Sequence, residues 1–404
     1  MDLNRGRQAL SIPGPSVIPD RVLAAMHIPM PNIYEGALVD MSASVFEDLP
    51  KIARTKGHAF MTISNGHGAW EMALTNTLSR GDRVLVLNTG RFAEGWGAQA
   101  TMLGCEVETI DFGERAPVDP DQVETRLRED ADHEIKAILV VQIDTASGVW
   151  NDIAALREAI DAAGHPALFM VDTIASLGCV PYEMDSWGVD VTVGGSQKGL
   201  MVPPGLGLVW ASEKAVEAHK TADMRTPYWD WSARMQEGAH YLRYCGTAPI
   251  QHIHAMRTAL DMIFEEGLEN VWARHKVFAS AVRAAIDAWS TDNGIMFNIQ
   301  DPAHRSNSTT TVLSGGIDAR ALRALCEHGA GLTLGIGLGA FEGRAFRIGH
   351  MGHLNPPMVL GTLATVEAAL SAMQAPMGAS GIARASEVIA QALSDNQVAA
   401  ATAA

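Results

Sequence analysis

The stretch "IKAILVVQIDTASGVWNDIAALREAIDAAGHPALFMVDTIAS", residues 135–176, has the pattern of a single strand–helix–strand unit. Its two ends are apolar runs rich in Val, Ile and Leu, and its middle places apolar residues at helical spacing. Apolar strands joined by a crossover helix are typical of a parallel sheet that is covered on both faces. The stretch therefore predicts an α/β fold.

The same alternation continues on both sides of this unit. Further strands are predicted in "DRVLVLNTG" (82–90), "CEVETIDFG" (105–113), "VDVTVGGSQK" (189–198) and "GLGLVWAS" (205–212). Helices are predicted in "GAWEMALTNTLS" (68–79), "GWGAQATMLG" (95–104) and "HIHAMRTALDMIFEEG" (252–267). This order of elements indicates a large domain built on a mostly parallel sheet.

The predicted secondary-structure pattern changes near residue 270, where a long helical pattern is followed by short strand-like segments such as "STTTVLS" (308–314) and "RAFRIGHMG" (344–352). We therefore expect a smaller C-terminal α+β domain. The predicted organisation is an N-terminal arm over 1–20, a large domain over 21–265, the small domain over 266–375, and a C-terminal helix with a frayed tail over 376–404.

Composition limits the function classes. The chain has 404 residues, of which 47% are hydrophobic and 19% are charged, as expected for a globular protein. Its formal net charge of -16 counts against nucleic-acid binding and favours a small-molecule substrate. No apolar run is long enough to cross a membrane, and "MDLNRGRQALSIPGP" lacks the apolar core of a secretory signal. These features predict a cytoplasmic protein with no membrane partner.

The four cysteines are widely spaced and form neither a CxxC motif nor a Cys/His cluster. They predict reduced thiols, with no disulfide framework and no metal site. They are Cys105, Cys179, Cys245 and Cys326.

A candidate anion site lies in "FMTISNGHGAWEMAL" (60–74), which predicts a strand, a turn with two glycines, and a helix that opens at Ala69. Free N–H groups and the helix dipole attract phosphate at such a helix start. Asn65, Gly66 and His67 would surround the anion. The alternative is an ordinary turn whose glycines adopt positive φ.

Two charged residues follow neighbouring predicted strands. Asp172 ends "LFMVD", and Lys198 lies in the glycine- and proline-flanked loop "VGGSQKGLMVPPG" (193–205). Open α/β sheets bind ligands at the carboxyl ends of their strands, so both side chains are expected to face one pocket. The alternatives are a helix cap or structural ion pair for Asp172, and a solvated loop side chain for Lys198.

A phosphate cradle, a carboxylate and an amine together match the needs of pyridoxal 5'-phosphate. Its phosphate needs an anion site, its ring nitrogen needs an acidic partner, and its aldehyde needs an amine. The sequence therefore predicts this cofactor.

The chain resembles the class V, fold-type I aminotransferases, and within them the alanine/serine/aspartate–glyoxylate aminotransferase group, over roughly residues 10–375. The matching motifs are "IPGPSVIP", "SNGHGAWE", "QIDTASGVW", "VDTIASLG", "GGSQKGLMVPPG", "YCGTAP" and "RIGHMG". The resemblance implies a mostly parallel, seven-stranded sheet in the large domain and a homodimer or dimer of dimers with shared active sites.

The resemblance also implies roles for individual residues. Lys198 would carry the cofactor and Asp172 would pair with its ring nitrogen. The other implied cofactor contacts are Phe92 stacked on the ring, Thr145 near the ring hydroxyl, Gly66, His67 and Gln197 at the phosphate, and Tyr244 and Thr247 reaching the phosphate from the neighbouring subunit.

Arg347, in "RIGHMG", matches the substrate arginine of the family, and a guanidinium can hold an α-carboxylate with two parallel hydrogen bonds. Tyr34 and Glu35 lie where relatives have a segment that closes over the substrate. The glycine-rich segment 334–343 is interpreted as a mobile loop near the substrate.

The implied reaction moves the amino group of serine, alanine or aspartate to glyoxylate by a ping-pong mechanism, giving glycine and a 2-keto acid. An aspartate donor would need a second cationic or strongly donating group, for which Arg225, Arg243 and His350 are candidates. The alternatives are a pyridoxamine–pyruvate-type aminotransferase, a cysteine desulfurase-like lyase and a non-catalytic binding protein. Cys326 lies in a helical pattern, which disfavours the desulfurase.

Overall fold

The computed structural model describes residues 3–236, 238 and 240–403. The strands are β1 (Ala9–Ser11), β2 (His58–Ile63), β3 (Arg83–Asn88), β4 (Glu106–Asp111), β5 (Ile135–Val141), β6 (Leu168–Asp172), β7 (Val191–Gly195), β8 (Leu206–Ala211), β9 (Met296–Phe297), β10 (Thr309–Leu313), β11 (Leu332–Ile336) and β12 (Ala345–Gly349). 

The helices cover both faces of the larger sheet and one side of the smaller one. They are α1 (Asp20–Met26), α2 (Ala37–Ala53), α3 (Gly66–Thr77), α4 (Arg91–Leu103), α5 (Pro120–Glu129), α6 (Ile153–Ala163), α7 (Glu213–His219), α8 (Trp231–Met235), α9 (Ile250–Glu266), α10 (Leu268–Trp289), α11 (Ala319–Ala324), α12 (Pro356–Ala372) and α13 (Gly381–Ala403). None of the described helices is long and apolar enough to cross a membrane.

The larger sheet has seven strands in the order β2-β8-β7-β6-β5-β3-β4. All neighbours from β7 to β4 pair in parallel, and β8 runs antiparallel to both β2 and β7. Successive residues of a strand point to opposite faces, so Val84 and Val86 join the apolar cluster under α3 and α4, while Leu85 and Leu87 join the cluster under α6 and α9. The mostly parallel, seven-stranded sheet predicted for the large domain is confirmed.

The smaller sheet has five strands in the order β1-β11-β12-β10-β9. β1 pairs in parallel with β11, and the other pairs are antiparallel. α10, α12 and α13 pack beside this sheet around a separate apolar cluster. Two interpretations of the sequence therefore change: the N-terminal arm supplies a strand to this sheet, and the segment interpreted as a mobile loop begins as β11.

α13 covers the C-terminal segment from Gly381 to Ala403. The fraying expected at this end stays a prediction. Ala404 lies outside the described residues.

The register of the larger sheet brings three strand ends together. Val141 pairs with Asp172, and Asp172 pairs with Val193. The residues that follow β5, β6 and β7 therefore lie side by side at one edge of the sheet, where an open α/β sheet binds its ligands.

The contact between the N-terminal segment and β12 depends on a glycine. A Cβ on Gly349 would lie 2.2 Å from the carbonyl oxygen of Ile12, so the two backbones would have to separate. We expect Gly349→Ala to lower the free energy of unfolding by about 1–3 kcal/mol, as measured by chemical denaturation.

Gly361→Ala is the matched control, because a Cβ on Gly361 meets nothing within 4 Å and this glycine lies inside α12. Alanine is the better helix former, so this variant is expected to gain up to about 1 kcal/mol. A Gly349→Ala protein as stable as the wild type would contradict this account of the contact.

Candidate active site

A cavity of about 290 Å³ opens at the edge of the larger sheet where β5, β6 and β7 end. Two oppositely charged side chains, Asp172 and Lys198, line it from neighbouring strands. The sequence-predicted residues that line the cavity are Asn65, Gly66, His67, Phe92, Thr145, Asp172, Gln197 and Lys198. Residues from five separate segments of the chain thus meet at one place.

Lys198 lies in the turn between β7 and β8 and is only 9% exposed. The N-terminal segment covers it: Nζ donates to the carbonyl of Pro13, and Ser16 Oγ donates to the carbonyl of Lys198 at 2.7 Å. Gly14, at φ +95°, passes so close that a Cβ there would lie 2.4 Å from Cδ of the lysine. A larger residue at Gly14 would therefore collide with Lys198.

The environment of Lys198 favours its neutral form. Burial, aided by the positive charge of Arg347, lowers the pKa of Lys198 to about 8, although the negative charge of Asp172 opposes the shift. An appreciable fraction of the amine is therefore uncharged near neutral pH. A neutral amine is the nucleophilic form.

Asp172 is the last residue of β6 and is 2% exposed. Its Oδ1 accepts the backbone N–H of Ile174 at 2.7 Å, and its Oδ2 accepts the indole N–H of Trp70 at 2.8 Å. Burial raises the pKa of Asp172 to about 7, while these two hydrogen bonds oppose the shift. Its oxygens are held by neutral donors, so the arrangement differs from the structural ion pair that the sequence left open.

The candidate anion site is a helix start, but the helix begins earlier than predicted. α3 starts at Gly66 and not at Ala69, because the side chain of Asn65 caps it by accepting the N–H groups of His67 and Gly68. Neither glycine of the motif has positive φ. A glycine is needed at position 66 for a steric reason, because a Cβ there would lie 2.2 Å from Cδ1 of Ile174.

Gln197 adds an unsatisfied polar group to this site. Its Oε1 is buried and has no hydrogen-bond partner among the described residues. Because the oxygen and nitrogen of an amide are assigned from their surroundings, the same position can present an N–H donor to an anion. A buried polar atom without a partner is expected where a polar ligand binds.

Phe92 and Thr145 are positioned by a residue that the sequence reasoning missed. The fully buried carboxylate of Asp144 accepts the backbone N–H of Phe92 at 2.8 Å and those of Ala146 and Ser147. Burial raises the pKa of Asp144, and these hydrogen bonds oppose the shift. The available signal was its place three residues after the end of β5, at the same edge of the sheet as Asp172.

Arg347 lies on β12 and is 7% exposed. Its Nε donates to the carbonyl of Ile336 at 2.6 Å, and one Nη donates to the carbonyl of Thr145 at 2.8 Å. Burial lowers the pKa of Arg347 to about 10, so the guanidinium stays charged at neutral pH. The structure therefore places this cation beside the cavity, in contact with Thr145 from its wall.

Besides Arg347, four of the sequence-predicted site residues do not line the cavity of this subunit. Tyr34 is 77% exposed, and Glu35 and Thr247 are exposed as well. Tyr244 is buried, and its hydroxyl lies 2.6 Å from Ser42 Oγ within its own subunit.

The three residues considered for a second substrate carboxylate also lie elsewhere. Arg225 is an exposed residue that donates to the carbonyl of Ala222, and Arg243 lies over the ring of Phe46. His350 bonds Thr310 and Asn307, and burial lowers its pKa to about 3, so it is neutral. His350 instead lines a separate cavity of about 860 Å³ beside the N-terminal segment and α12.

Trp70 is the second residue that the sequence reasoning missed. It lines the cavity from α3, bonds Asp172, and lies with its ring 4.5 Å from that of His67. The available signal was its spacing from Gly66, because residues i and i+4 share one face of a helix.

Cys326 lacks the properties of a catalytic thiol. It is fully buried, and burial raises its pKa to about 11. A nucleophilic cysteine needs access and a low pKa, so these properties argue against the desulfurase alternative.

The chain is similar to class-V aminotransferases over most of its length. The family model of the class-V aminotransferases matches residues 57–339. The chain is 40% identical over 373 residues to the serine–glyoxylate aminotransferase of Methylorubrum extorquens, covering 90% of this chain and 91% of the relative. It is 38% identical over 381 residues to the L-aspartate–glyoxylate aminotransferase of Paracoccus denitrificans, covering 93% of this chain and 94% of the relative.

Among solved structures, the pyridoxamine–pyruvate aminotransferase of Mesorhizobium loti has a TM-score of 0.89 at 26% identity and covers 97% of this chain and 100% of that one. The two-sheet fold and the sequence similarity over nearly the whole chain point to the same group of proteins. The chain belongs to the class-V aminotransferase family.

Proposed function

We propose that this aminotransferase uses pyridoxal 5'-phosphate to move the amino group of a small L-amino acid to glyoxylate, giving glycine and a 2-keto acid. The observation that carries the proposal is the meeting of Lys198 and Asp172, from neighbouring strand ends, in one cavity beside the start of α3. The amine, the carboxylate and the helix start are the three groups that this cofactor needs.

The residues of the cavity fit the cofactor. Lys198 would bind it covalently, Asp172 would face its ring nitrogen, and Phe92 would lie against its ring. Thr145 would lie near the ring hydroxyl, and Gly66, His67 and Gln197 would hold the phosphate. The buried Oε1 position of Gln197 has no partner among the described residues and supports the phosphate assignment, because an N–H placed there by an amide flip would donate to the phosphate. When bound, the cofactor supplies a ring that accepts the negative charge formed when the Cα–H bond of the substrate breaks.

The protein side chains then have separate tasks. Lys198 removes the proton from the substrate α-carbon, and a pKa of about 8 suits a general base near neutral pH. Asp172, as a carboxylate, keeps a proton on the ring nitrogen. Arg347 binds the α-carboxylate that donor and acceptor share. The N-terminal segment over Lys198 limits the entry of water.

Serine and alanine fit the cavity better than aspartate as donors. Arg347, which contacts Thr145 of the cavity wall, is assigned to the α-carboxylate, and none of the three candidates considered for a second carboxylate lines the cavity of this subunit. The 40% identity to a serine–glyoxylate aminotransferase supports serine. The pyridoxamine–pyruvate alternative has weaker support, since that neighbour is 26% identical.

We further propose a cytoplasmic homodimer, or dimer of dimers, in which each subunit contributes to the site of its neighbour. Tyr34, Glu35 and Thr247 are exposed and therefore accessible to a second subunit. The hydroxyl of Tyr244 is hydrogen-bonded to Ser42, so it would have to break this bond to reach the phosphate in the neighbouring subunit. Otherwise Tyr244 would contribute by supporting the backbone that precedes Thr247. This assembly rests on the resemblance of the chain to its family.

A donor screen tests the proposed reaction. Purified protein with pyridoxal 5'-phosphate is given glyoxylate and one of serine, alanine or aspartate, and glycine and the keto acid are measured. We expect turnover with serine and alanine and weaker turnover with aspartate. Turnover with free pyridoxamine and pyruvate, and none with glyoxylate, would favour the alternative instead.

The attachment residue is tested by chemical labelling. Borohydride reduction of the protein–cofactor complex followed by peptide mass spectrometry should place the pyridoxyl group on Lys198, and Lys198→Ala should abolish it. Lys214→Ala is the control, because Lys214 pairs with Asp190 away from the cavity. Label on any other lysine of the wild type would contradict the assignment.

The pH dependence of cofactor attachment follows from the lowered pKa of Lys198. Only the neutral amine attacks, so its share falls about tenfold for each pH unit below a pKa of about 8. The initial rate of attachment to the cofactor-free protein, followed by absorbance, should therefore fall steadily from pH 8 to pH 6.

Arg347→Lys tests the placement of the substrate. An ammonium cannot reproduce two parallel hydrogen bonds, so kcat/KM should fall roughly tenfold to a hundredfold. The loss should be similar for serine, alanine, aspartate and glyoxylate, because the contact ignores the substrate side chain. Arg344→Lys is the control, since Arg344 is an exposed residue on the same segment. A loss of kcat/KM with only one donor would mean that Arg347 contacts the side chain of that donor and not the shared α-carboxylate.

A further inference from the structure

Trp70 connects three groups of the candidate cofactor site. Its indole N–H donates to Asp172. Its ring centroid lies 4.5 Å from that of His67 and 6.4 Å from that of Phe92, the latter in an edge-on arrangement. The side chain is 1% exposed. Such a residue is in a position to affect the ring nitrogen, the phosphate and the ring face together.

We propose that Trp70 is a positioning residue whose indole N–H holds the Asp172 carboxylate in the orientation and ionised form that the cofactor's ring nitrogen requires. This inference rests on the proposed use of pyridoxal 5'-phosphate at this site. It assigns to Trp70 a role in tuning the cofactor in addition to its packing in the core.

The surroundings of Asp172 explain why this hydrogen bond matters. The carboxylate has two fixed donors, the backbone N–H of Ile174 and the indole of Trp70. The charged groups that act on it are Lys198, which favours the ionised form, and Asp144, which opposes it. A buried carboxylate that loses one of two donors gains a proton more readily or turns toward another partner.

The indole is held rigidly in place. Trp70 stacks on Trp96, with ring centroids 5.9 Å apart and planes 15° apart. The direction of the N–H is therefore fixed by packing, independently of Asp172.

The stacked pair supplies its own control. Trp96 is also fully buried, but its indole N–H has no hydrogen-bond partner among the described residues. Trp70→Phe and Trp96→Phe thus make the same chemical change in neighbouring rings. Of the two, only Trp70→Phe removes a hydrogen bond to Asp172.

The first measurement is the dissociation constant for pyridoxal 5'-phosphate, obtained by equilibrium dialysis at several pH values. Trp70→Phe is expected to raise it roughly tenfold or more, as for the loss of a hydrogen bond to a charged group, and Trp96→Phe to change it less than about twofold. The pH below which binding weakens should move upward by about one unit in Trp70→Phe only. Equal effects of the two variants would overturn the proposal.

A double-mutant cycle separates the hydrogen bond from packing. If Trp70 acts through Asp172, Trp70→Phe should change the dissociation constant less than about twofold when Asp172→Ala is already present. A full, additive effect in that background would mean that Trp70 contributes only packing.

The last measurement does not require a variant of Trp70 to fold. The indole N–H signals of the ¹⁵N-labelled, cofactor-free wild type are followed by NMR from pH 5 to 9. One signal should move with the titration of Asp172 and should shift to a new position in Asp172→Ala. If no signal depends on Asp172, the proposal is wrong.

These readouts also separate this proposal from the proposed function. A wild-type protein that does not attach pyridoxal 5'-phosphate at Lys198 would refute the function, whatever the NMR result. Normal attachment with identical behaviour of Trp70→Phe and Trp96→Phe would refute only the role of Trp70.

Discussion

The burial of two opposite charges at neighbouring strand ends is the constraint on which the site depends. Asp172 and Lys198 are both nearly inaccessible to water, and burial moves the pKa of the first upward and that of the second downward. Burying either charge without a partner would cost folding free energy. The two N–H donors to Asp172 and the N-terminal segment over Lys198 supply those partners.

The turn after β5 links the large sheet to the small one. Its carbonyl groups accept hydrogen bonds from small-sheet residues: Arg347 to Thr145, and Thr311 to Ala146. Asp144 holds the N–H groups of the same turn and that of Phe92. The candidate substrate arginine and the candidate ring-stacking residue are therefore both held by one short segment.

Much of the fold and site could be predicted from sequence, because strand periodicity and strand ends are local properties. Asp172 and Lys198 follow apolar runs, and parallel strands bring such ends together. The errors were also local: α3 begins at Gly66 because the side chain of Asn65 caps it, whereas the glycines suggested a longer turn. The strand formed by Ala9–Ser11 was missed because three residues carry too little periodicity.

The sequence by itself determined the alternation of strands and helices, the parallel sheet, and the residue types needed at its edge. Only the tertiary structure decided which side chains meet there. The bond from Trp70 to Asp172 spans 102 positions in the chain, and the one from Lys198 to Pro13 spans 185. The hydroxyl of Tyr244 is hydrogen-bonded to Ser42 within its own subunit, and His350 lines a different cavity. Periodicity reports which face of an element is buried, whereas contacts between distant segments depend on how the elements pack.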